Sequence, residues 1–192
     1  MRKGAALVAG LLLTAGCGPK AFTVGSRPFP AARPVFSDNT GNALEALPSV
    51  TEPVGLVFLE FPWCPACADV WKAVRIAVEP FPEDTVRVYR VLFDKETILS
   101  PTGRREVPPM RPPPLPDGLG PDNPALRITT LTALPGEFRK EFRVSYGPVL
   151  ILLDPEGKVD RRWIGFSAGM ARELSSEIRK RSRALSLRPP GK

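Results

Sequence analysis

The pattern between residues 54 and 93 constrains the fold more than any other part of this sequence. The run Val54–Phe61 is almost continuously apolar and rich in branched and aromatic residues, which predicts a buried strand. In Pro65–Glu79 the apolar residues recur at helical spacing, and prolines follow at once, which predicts an amphipathic helix. Thr85–Phe93 predicts a second core strand. Strand, helix and strand in this order predict a parallel βαβ unit with a right-handed crossover, and therefore an α/β fold.

The last third of the chain predicts a β-hairpin and a closing helix. Val149–Asp154 and Val159–Phe166 are two apolar-rich runs separated by a short turn that contains Pro and Gly. Ala168–Arg181 then carries apolar residues at every fourth position, which predicts a helix, and a short helix is also predicted at Gly136–Phe142. Together with the βαβ unit, the hairpin predicts a mixed sheet flanked by helices.

Proline marks the segments that lie outside this regular core. The chain has 24 prolines in 192 residues, and nine of the 24 residues in Pro101–Pro124 are proline. Because proline lacks the amide proton that regular helices and central strands need, residues 97–128 are predicted to form an inserted loop. Two interpretations stay open: a solvated extended spacer, or a lip that binds a partner beside the active site.

The amino terminus resembles an export signal followed by a lipid attachment site. Arg2 and Lys3 precede the apolar run Ala5–Ala15, which is too short to span a bilayer. Leu13–Cys17 resembles the lipobox of bacterial lipoproteins, in which the cysteine is lipidated and becomes the first mature residue. Residues 1–16 are therefore predicted to be a signal peptide and Cys17 a lipidation site. Gly18 lacks the aspartate that retains some lipoproteins at the inner membrane, which favours a periplasm-facing outer-membrane anchor in the cell envelope.

Three further segments complete the predicted domain organisation. Residues 17–53 are rich in Pro, Gly, Ser and Asn and are predicted to be a tether and amino-terminal extension, with an edge strand at Arg33–Ser37 and a short helix at Asn42–Leu47. The folded domain is predicted to span residues 54–183. A flexible tail is expected over residues 184–192.

Composition excludes several classes of function. The chain contains no histidine, which excludes an imidazole base, Ser/His and Cys/His nucleophile pairs and His-containing metal sites. A net charge of +7 raises the question of nucleic acid, but no nucleic-acid-binding motif or aromatic interleaving accompanies the basic residues. With Cys17 lipidated, only two thiols remain, too few for a structural zinc site. We therefore expect no metal, no other cofactor and no nucleic-acid partner.

Two cysteines carry the chemistry. Cys64 and Cys67 form a CxxC pair between the predicted strand and helix, where the free N–H groups and the helix dipole favour an anion. Cys64 is therefore the expected nucleophile, and Pro65 suits the first helical position. Cys67 shares the apolar stripe of the helix, so we expect it to face the core and to act as the resolving thiol in disulfide exchange.

The sequence resembles the thioredoxin superfamily, and within it the membrane-tethered thiol–disulfide oxidoreductases of the bacterial envelope. The likeness covers Val54–Arg181 and depends on Trp63–Cys67, on Val144–Val149 at the start of a strand, and on the later glycines Gly157 and Gly165. It implies a redox-active Cys64–Cys67 disulfide supported by Trp63 and Pro65. It further implies a cis Pro148 facing the cysteines, and Gly147 offering its backbone to an extended substrate. Protein thiols and disulfides are the implied partners.

The sequence also departs from that family. Thioredoxins carry a buried acid on the strand before the cysteines, whereas Phe58 occupies the matching position here and Glu60 is the nearest acid. Either Glu60 serves as the base for the resolving thiol, or it is an exposed or paired carboxylate and a water moves the proton. The Pro65–Ala66 dipeptide lacks the histidine of strongly oxidising relatives, which favours a reductase. The alternative is a non-catalytic thioredoxin-fold lipoprotein that serves as a binding scaffold.

Overall fold

The computed structural model describes residues 22–28, 36–38, 40–44, 46–47, 49–61, 64–93, 125–133 and 147–186. These residues form a seven-stranded sheet and two helices. The strands are β1 Phe36–Ser37, β2 Ala43–Leu44, β3 Val54–Glu60, β4 Val86–Leu92, β5 Leu126–Ala133, β6 Val149–Leu153 and β7 Val159–Ile164. The helices are α1 Ala66–Val78 and α2 Met170–Ser186.

The sheet is mixed, with the strand order β2-β1-β5-β4-β3-β6-β7. β3 pairs in parallel with β4, and β4 in parallel with β5. β6 pairs antiparallel with both β3 and β7. The predicted βαβ unit and carboxy-terminal hairpin are therefore confirmed, and the two units join through β3.

β3 separates two apolar cores, and all seven of its residues are buried. Leu56 and Phe58 face the side on which both helices pack, together with Met170, Leu174 and Ile178 of α2. Val57 and Leu59 face the opposite side, which the amino-terminal segment covers with side chains such as Phe22. A strand buried on both faces needs apolar residues at successive positions, which explains the continuous run in the sequence.

The predicted short helix at Asn42–Leu47 is wrong. Ala43–Leu44 is strand β2, which pairs antiparallel with β1. The Asp38 carboxylate accepts hydrogen bonds from the backbone N–H groups of Thr40 and Asn42, at 2.9 and 2.8 Å, and Gly41 has a φ of 89°. These local hydrogen bonds and the left-handed glycine form a tight turn, which competes with a helix at this position.

The amino-terminal segment contributes to the sheet. The predicted strand at Arg33–Ser37 is present as Phe36–Ser37, but it lies between β2 and β5 and is not at the edge. Its Phe36 is completely buried. The folded unit therefore includes residues before position 54, because β1 pairs with the central part of the sheet through β5.

Two other boundaries differ from the prediction. Strand β5, Leu126–Ala133, was not predicted, and it begins inside the range 97–128 assigned to the inserted loop. Helix α2 begins two residues later than predicted and continues to Ser186, inside the expected tail. Most of the inserted loop and the helix predicted at 136–142 lie outside the described residues. Within the described ranges, neither helix is both long enough and apolar enough to cross a bilayer.

Candidate active site

Cys64 lies where strand β3 passes into helix α1. The strand ends at Glu60, and the Cys64 N–H donates a hydrogen bond to the Phe61 carbonyl at 3.0 Å. Pro65 has helical φ and ψ angles of −65° and −32°, and the Cys67 N–H donates to the Cys64 carbonyl at 3.2 Å. Cys64 therefore lies just before the amino-terminal end of helix α1. The amino-terminal end of a helix favours an anion.

The two cysteines form a disulfide, with their Cα atoms 5.5 Å apart. Cys67 is 4% exposed and belongs to the core on the helix side of the sheet. Cys64 is only partly buried and packs against both cores. The expected difference in accessibility is thus present: of the two sulfur-bearing residues, Cys64 is the one that a second protein can reach.

The Gly147–Pro148 peptide bond is cis, as the resemblance implies. Strand β6 starts at the next residue, and Val149 pairs with Leu59 of β3. Because β3 and β6 are antiparallel, Pro148 and the carboxyl end of β3 lie at the same edge of the sheet. The Pro148 carbonyl accepts a hydrogen bond from the Gly165 N–H at 2.8 Å. The cysteine pair, the cis proline and Gly165 are therefore gathered at one edge.

Gly147 lies against an aromatic ring. A Cβ atom at this position would overlap two ring carbons of Phe61. Phe61 is buried and stacks on Phe93, with ring centroids 4.6 Å apart. The residue before the cis proline thus needs to be glycine for reasons of space, in addition to any contact its backbone makes with a substrate.

Glu60 is a buried carboxylate that accepts three hydrogen bonds. Its Oε2 accepts hydrogen bonds from Arg90 Nε at 2.6 Å and from Trp71 Nε1 at 3.2 Å, and its Oε1 accepts one from Arg90 Nη2 at 3.0 Å. Glu60 is therefore paired with Arg90, and its part in proton transfer stays a prediction. Glu60 lies on the same face of β3 as Phe58, the position of the family's buried acid, and Phe58 itself packs edge-on against Trp71.

Comparison with known proteins agrees with this geometry at the level of the fold. No family model and no curated protein matches the sequence. The structure is similar to a solved thioredoxin-like protein from Porphyromonas gingivalis, with 19% identity, a TM-score of 0.55, and coverage of 82% of this chain and 94% of that one.

Two other solved structures give a similar result. A structure from Chlorobium tepidum, described as a DsbE thiol:disulfide interchange protein, has 16% identity, a TM-score of 0.51, and coverage of 83% and 98%. A thioredoxin-like protein from Aeropyrum pernix has 15% identity, a TM-score of 0.51, and coverage of 76% and 89%. The fold is thioredoxin-like.

This thioredoxin-like fold brings together most of the residues that the sequence predicts. Cys64, Cys67, Pro65, Gly147 and Pro148 lie at one edge of the sheet, and Glu60 lies beside them in the core. Trp63 and Cys17 are outside the described residues. Among the described residues, no group of three His, Cys, Asp or Glu side chains could hold a metal ion.

Neither the pairing of Arg90 with Glu60 nor the hydrogen bond from Trp71 to Glu60 was predicted from the sequence. Arg90 is 2% exposed, although it carries a charge in the middle of core strand β4. The sequence did contain a signal, because Arg90 falls on the face of the strand whose other residues, Val86, Val88 and Leu92, are apolar. Its partner could not be identified from the sequence, since Glu60 lies 30 residues earlier and meets Arg90 only through the register of β3 and β4.

Proposed function

We propose that the protein is a thiol–disulfide oxidoreductase of the bacterial cell envelope, acting on protein thiols and disulfides through Cys64 and Cys67. The observation that carries this proposal is a partly accessible cysteine at a helix start, bonded to a buried cysteine, with a cis proline at the same sheet edge. The Chlorobium tepidum structure described as a thiol:disulfide interchange protein has a similar fold and supports the same class of reaction.

Reduction of one substrate disulfide needs only the two cysteines of the reduced protein. In the reduced protein, the Cys64 thiolate attacks one sulfur of a substrate disulfide, forms a mixed disulfide and releases the other sulfur as a thiolate, which takes up a proton. Cys67 then loses its proton and attacks Cys64, which forms the Cys64–Cys67 disulfide and releases the second substrate thiol. Two electrons pass from the protein to the substrate, and an external dithiol must return them.

We further propose that the protein acts as a reductase and is tethered by lipid at Cys17. The Pro65–Ala66 dipeptide has no histidine to stabilise a thiolate at Cys64, so the reduced state gains less stability than in strong oxidants. We expect a reduction potential nearer to ~−270 mV, as in thioredoxin, than to ~−120 mV. The lipobox-like Leu13–Cys17 supports an anchor, with the domain facing the periplasm and the outer membrane favoured by Gly18.

Insulin reduction tests the catalytic part of this proposal. Mature protein with dithiothreitol should accelerate precipitation of the insulin B chain well above the rate with dithiothreitol alone. Cys64→Ser should abolish the acceleration, because no nucleophile remains at the helix start. Reduced Cys67→Ser protein, freed of dithiothreitol and then mixed with insulin, should accumulate the mixed disulfide. A wild-type rate equal to that of Cys64→Ser would contradict the proposal and favour a non-catalytic binding scaffold.

A further inference from the structure

The segment that begins at Phe22 is bound to the edge strand β7. The Gly25 N–H donates a hydrogen bond to the Val159 carbonyl at 2.7 Å, and the Val159 N–H donates to the Ser26 carbonyl at 2.8 Å. Phe22 itself is buried in the core on this side of the sheet. Its carbonyl accepts a hydrogen bond from Arg162 Nη1 at 3.4 Å. The fold therefore already holds the chain at Phe22.

Only a short stretch of chain separates this contact from the proposed lipid at Cys17. Even fully extended, the residues from Gly18 to Phe22 reach at most about 18 Å. A folded chain of about 165 residues has a radius of gyration of about 15 Å, and therefore a width of roughly 40 Å. Because the link is shorter than the molecule is wide, the side opposite Phe22 cannot face the bilayer while Phe22 stays in the core.

The side chains at this edge suit a bilayer surface. Four large apolar side chains are exposed among the described residues, and three of them lie in this segment or at the end of β7: Val24, Ile164 and Phe166. The fourth, Ile76, lies on α1. Arg162 is also exposed and adds a positive charge to β7. Apolar side chains beside a cation contact both the acyl boundary and the anionic headgroups of a bilayer.

We propose that the sheet edge formed by β7 and the segment beginning at Phe22 lies against the bilayer surface, held there by the short link to the lipid. This inference rests on the proposed anchor at Cys17 and adds the orientation of the domain. β3 is two strands from β7, and strands are spaced about 4.8 Å apart, so the carboxyl end of β3 lies only about 10 Å from this edge. Cys64 therefore lies close to the membrane, within reach of disulfides in membrane-anchored proteins.

Quenching of a fluorescent label by lipid measures this orientation. The lipidated full chain, with Cys64 and Cys67 oxidised, is labelled with nitrobenzoxadiazole at one introduced cysteine and reconstituted in phosphatidylcholine–phosphatidylglycerol vesicles. A nitroxide on the lipid headgroup should quench the label at Val24→Cys and at Phe166→Cys about threefold more strongly than at Ile76→Cys. Ile76 is the matched control, because it is an exposed apolar side chain on a different side of the domain.

Two further variants test the geometry and its cause. Ala43 is exposed on β2, six strands from β7 or about 29 Å across the sheet, so Ala43→Cys should be quenched no more than Ile76→Cys. About twenty glycine and serine residues inserted between Lys20 and Ala21 give a link with a root-mean-square length of about 25–30 Å. The domain can then turn, so quenching at Val24→Cys should fall about twofold or more.

The outcomes distinguish this inference from the proposed function. Quenching at Val24→Cys or Phe166→Cys that is no stronger than at Ile76→Cys would overturn the orientation. Quenching at Val24→Cys that the longer link leaves unchanged would also overturn it, because the short link would not be what holds the edge in place. A full chain without lipid at Cys17 would overturn the anchor and the orientation together, whereas insulin reduction through Cys64 would be unaffected.

Discussion

At the scale of single residues, Gly147 shows how tightly the cis-proline loop packs on the strand that leads to the cysteines. Its backbone lies against the Phe61 ring, which is held in turn by stacking on Phe93. Because the Phe61 carbonyl accepts a hydrogen bond from the Cys64 N–H, a displaced Phe61 would also move the Cys64 backbone.

Gly147→Ala should therefore destabilise the protein by about 1–3 kcal/mol, the usual cost of forcing extra volume into a packed core. Urea unfolding of the oxidised protein measures the effect. Gly169→Ala is a matched control, because its new Cβ would meet only Glu173 Oε1, at an ordinary 3.6 Å. Equal midpoints for Gly147→Ala and Gly169→Ala would contradict this account of the close contact.

At the scale of secondary-structure elements, Glu52 connects the segment before β3 to two other strands. Its carboxylate is paired with Arg87 of β4, and Arg87 also donates a hydrogen bond to Thr129 of β5 at 2.9 Å. The hydrogen bond from Arg87, opposed by burial, lowers the pKa of Glu52 from 4.5 to about 2. One ion pair thus holds the entry of β3 and the first half of β4 in register with β5.

The stability of the fold should depend on this ion pair in acid. A carboxyl group whose pKa is lower in the folded state than in the unfolded state stabilises the fold above the unfolded pKa. The contribution of Glu52 should thus be complete above about pH 4.5, on the order of 2 kcal/mol, and be lost as the pH falls toward about 2. Urea unfolding of wild type and Glu52→Gln should give a stability difference that shrinks over this range. A constant difference would contradict the assignment.

The elements that were predicted are those whose pattern is local and strong. β3 is apolar at nearly every position, and α1 carries a helical stripe that ends at prolines, so both were located to within two residues. β5 was missed although Leu126–Ala133 contains branched residues suited to a strand, because it directly follows the proline-rich stretch. β2 has only two residues, and it is a strand because β1 pairs with it.

At the scale of the whole molecule, the proposed anchor decides where the redox site works. Expressed with its own amino terminus in a bacterium that processes lipoproteins, the full chain should appear in the membrane fraction with a mass raised by lipid at Cys17. Cys17→Ala should lose both properties, whereas Cys64→Ser should retain them. A wild-type product of unmodified mass that fractionates with soluble proteins would contradict the lipid anchor.

The sequence by itself determined strand β3, the CxxC pair and the amphipathic helix α1. It also indicated that Cys67 is more buried than Cys64. These features follow from side-chain periodicity and helix-end chemistry within about 30 residues, so they need no knowledge of distant contacts. It also indicated the cis proline, through the resemblance of Val144–Val149 to a known family.

Only the tertiary structure decided what surrounds the cysteines. The ring of Phe61 meets Gly147 because β3 and β6 are neighbours, and Glu60 meets Arg90 because Phe58 and Arg90 are paired in the register of β3 and β4. Such contacts depend on which strands pair and in which register, and no single segment encodes that. The charged pair beneath α1 therefore emerged from strand pairing, whereas the cysteine pair was evident from local sequence.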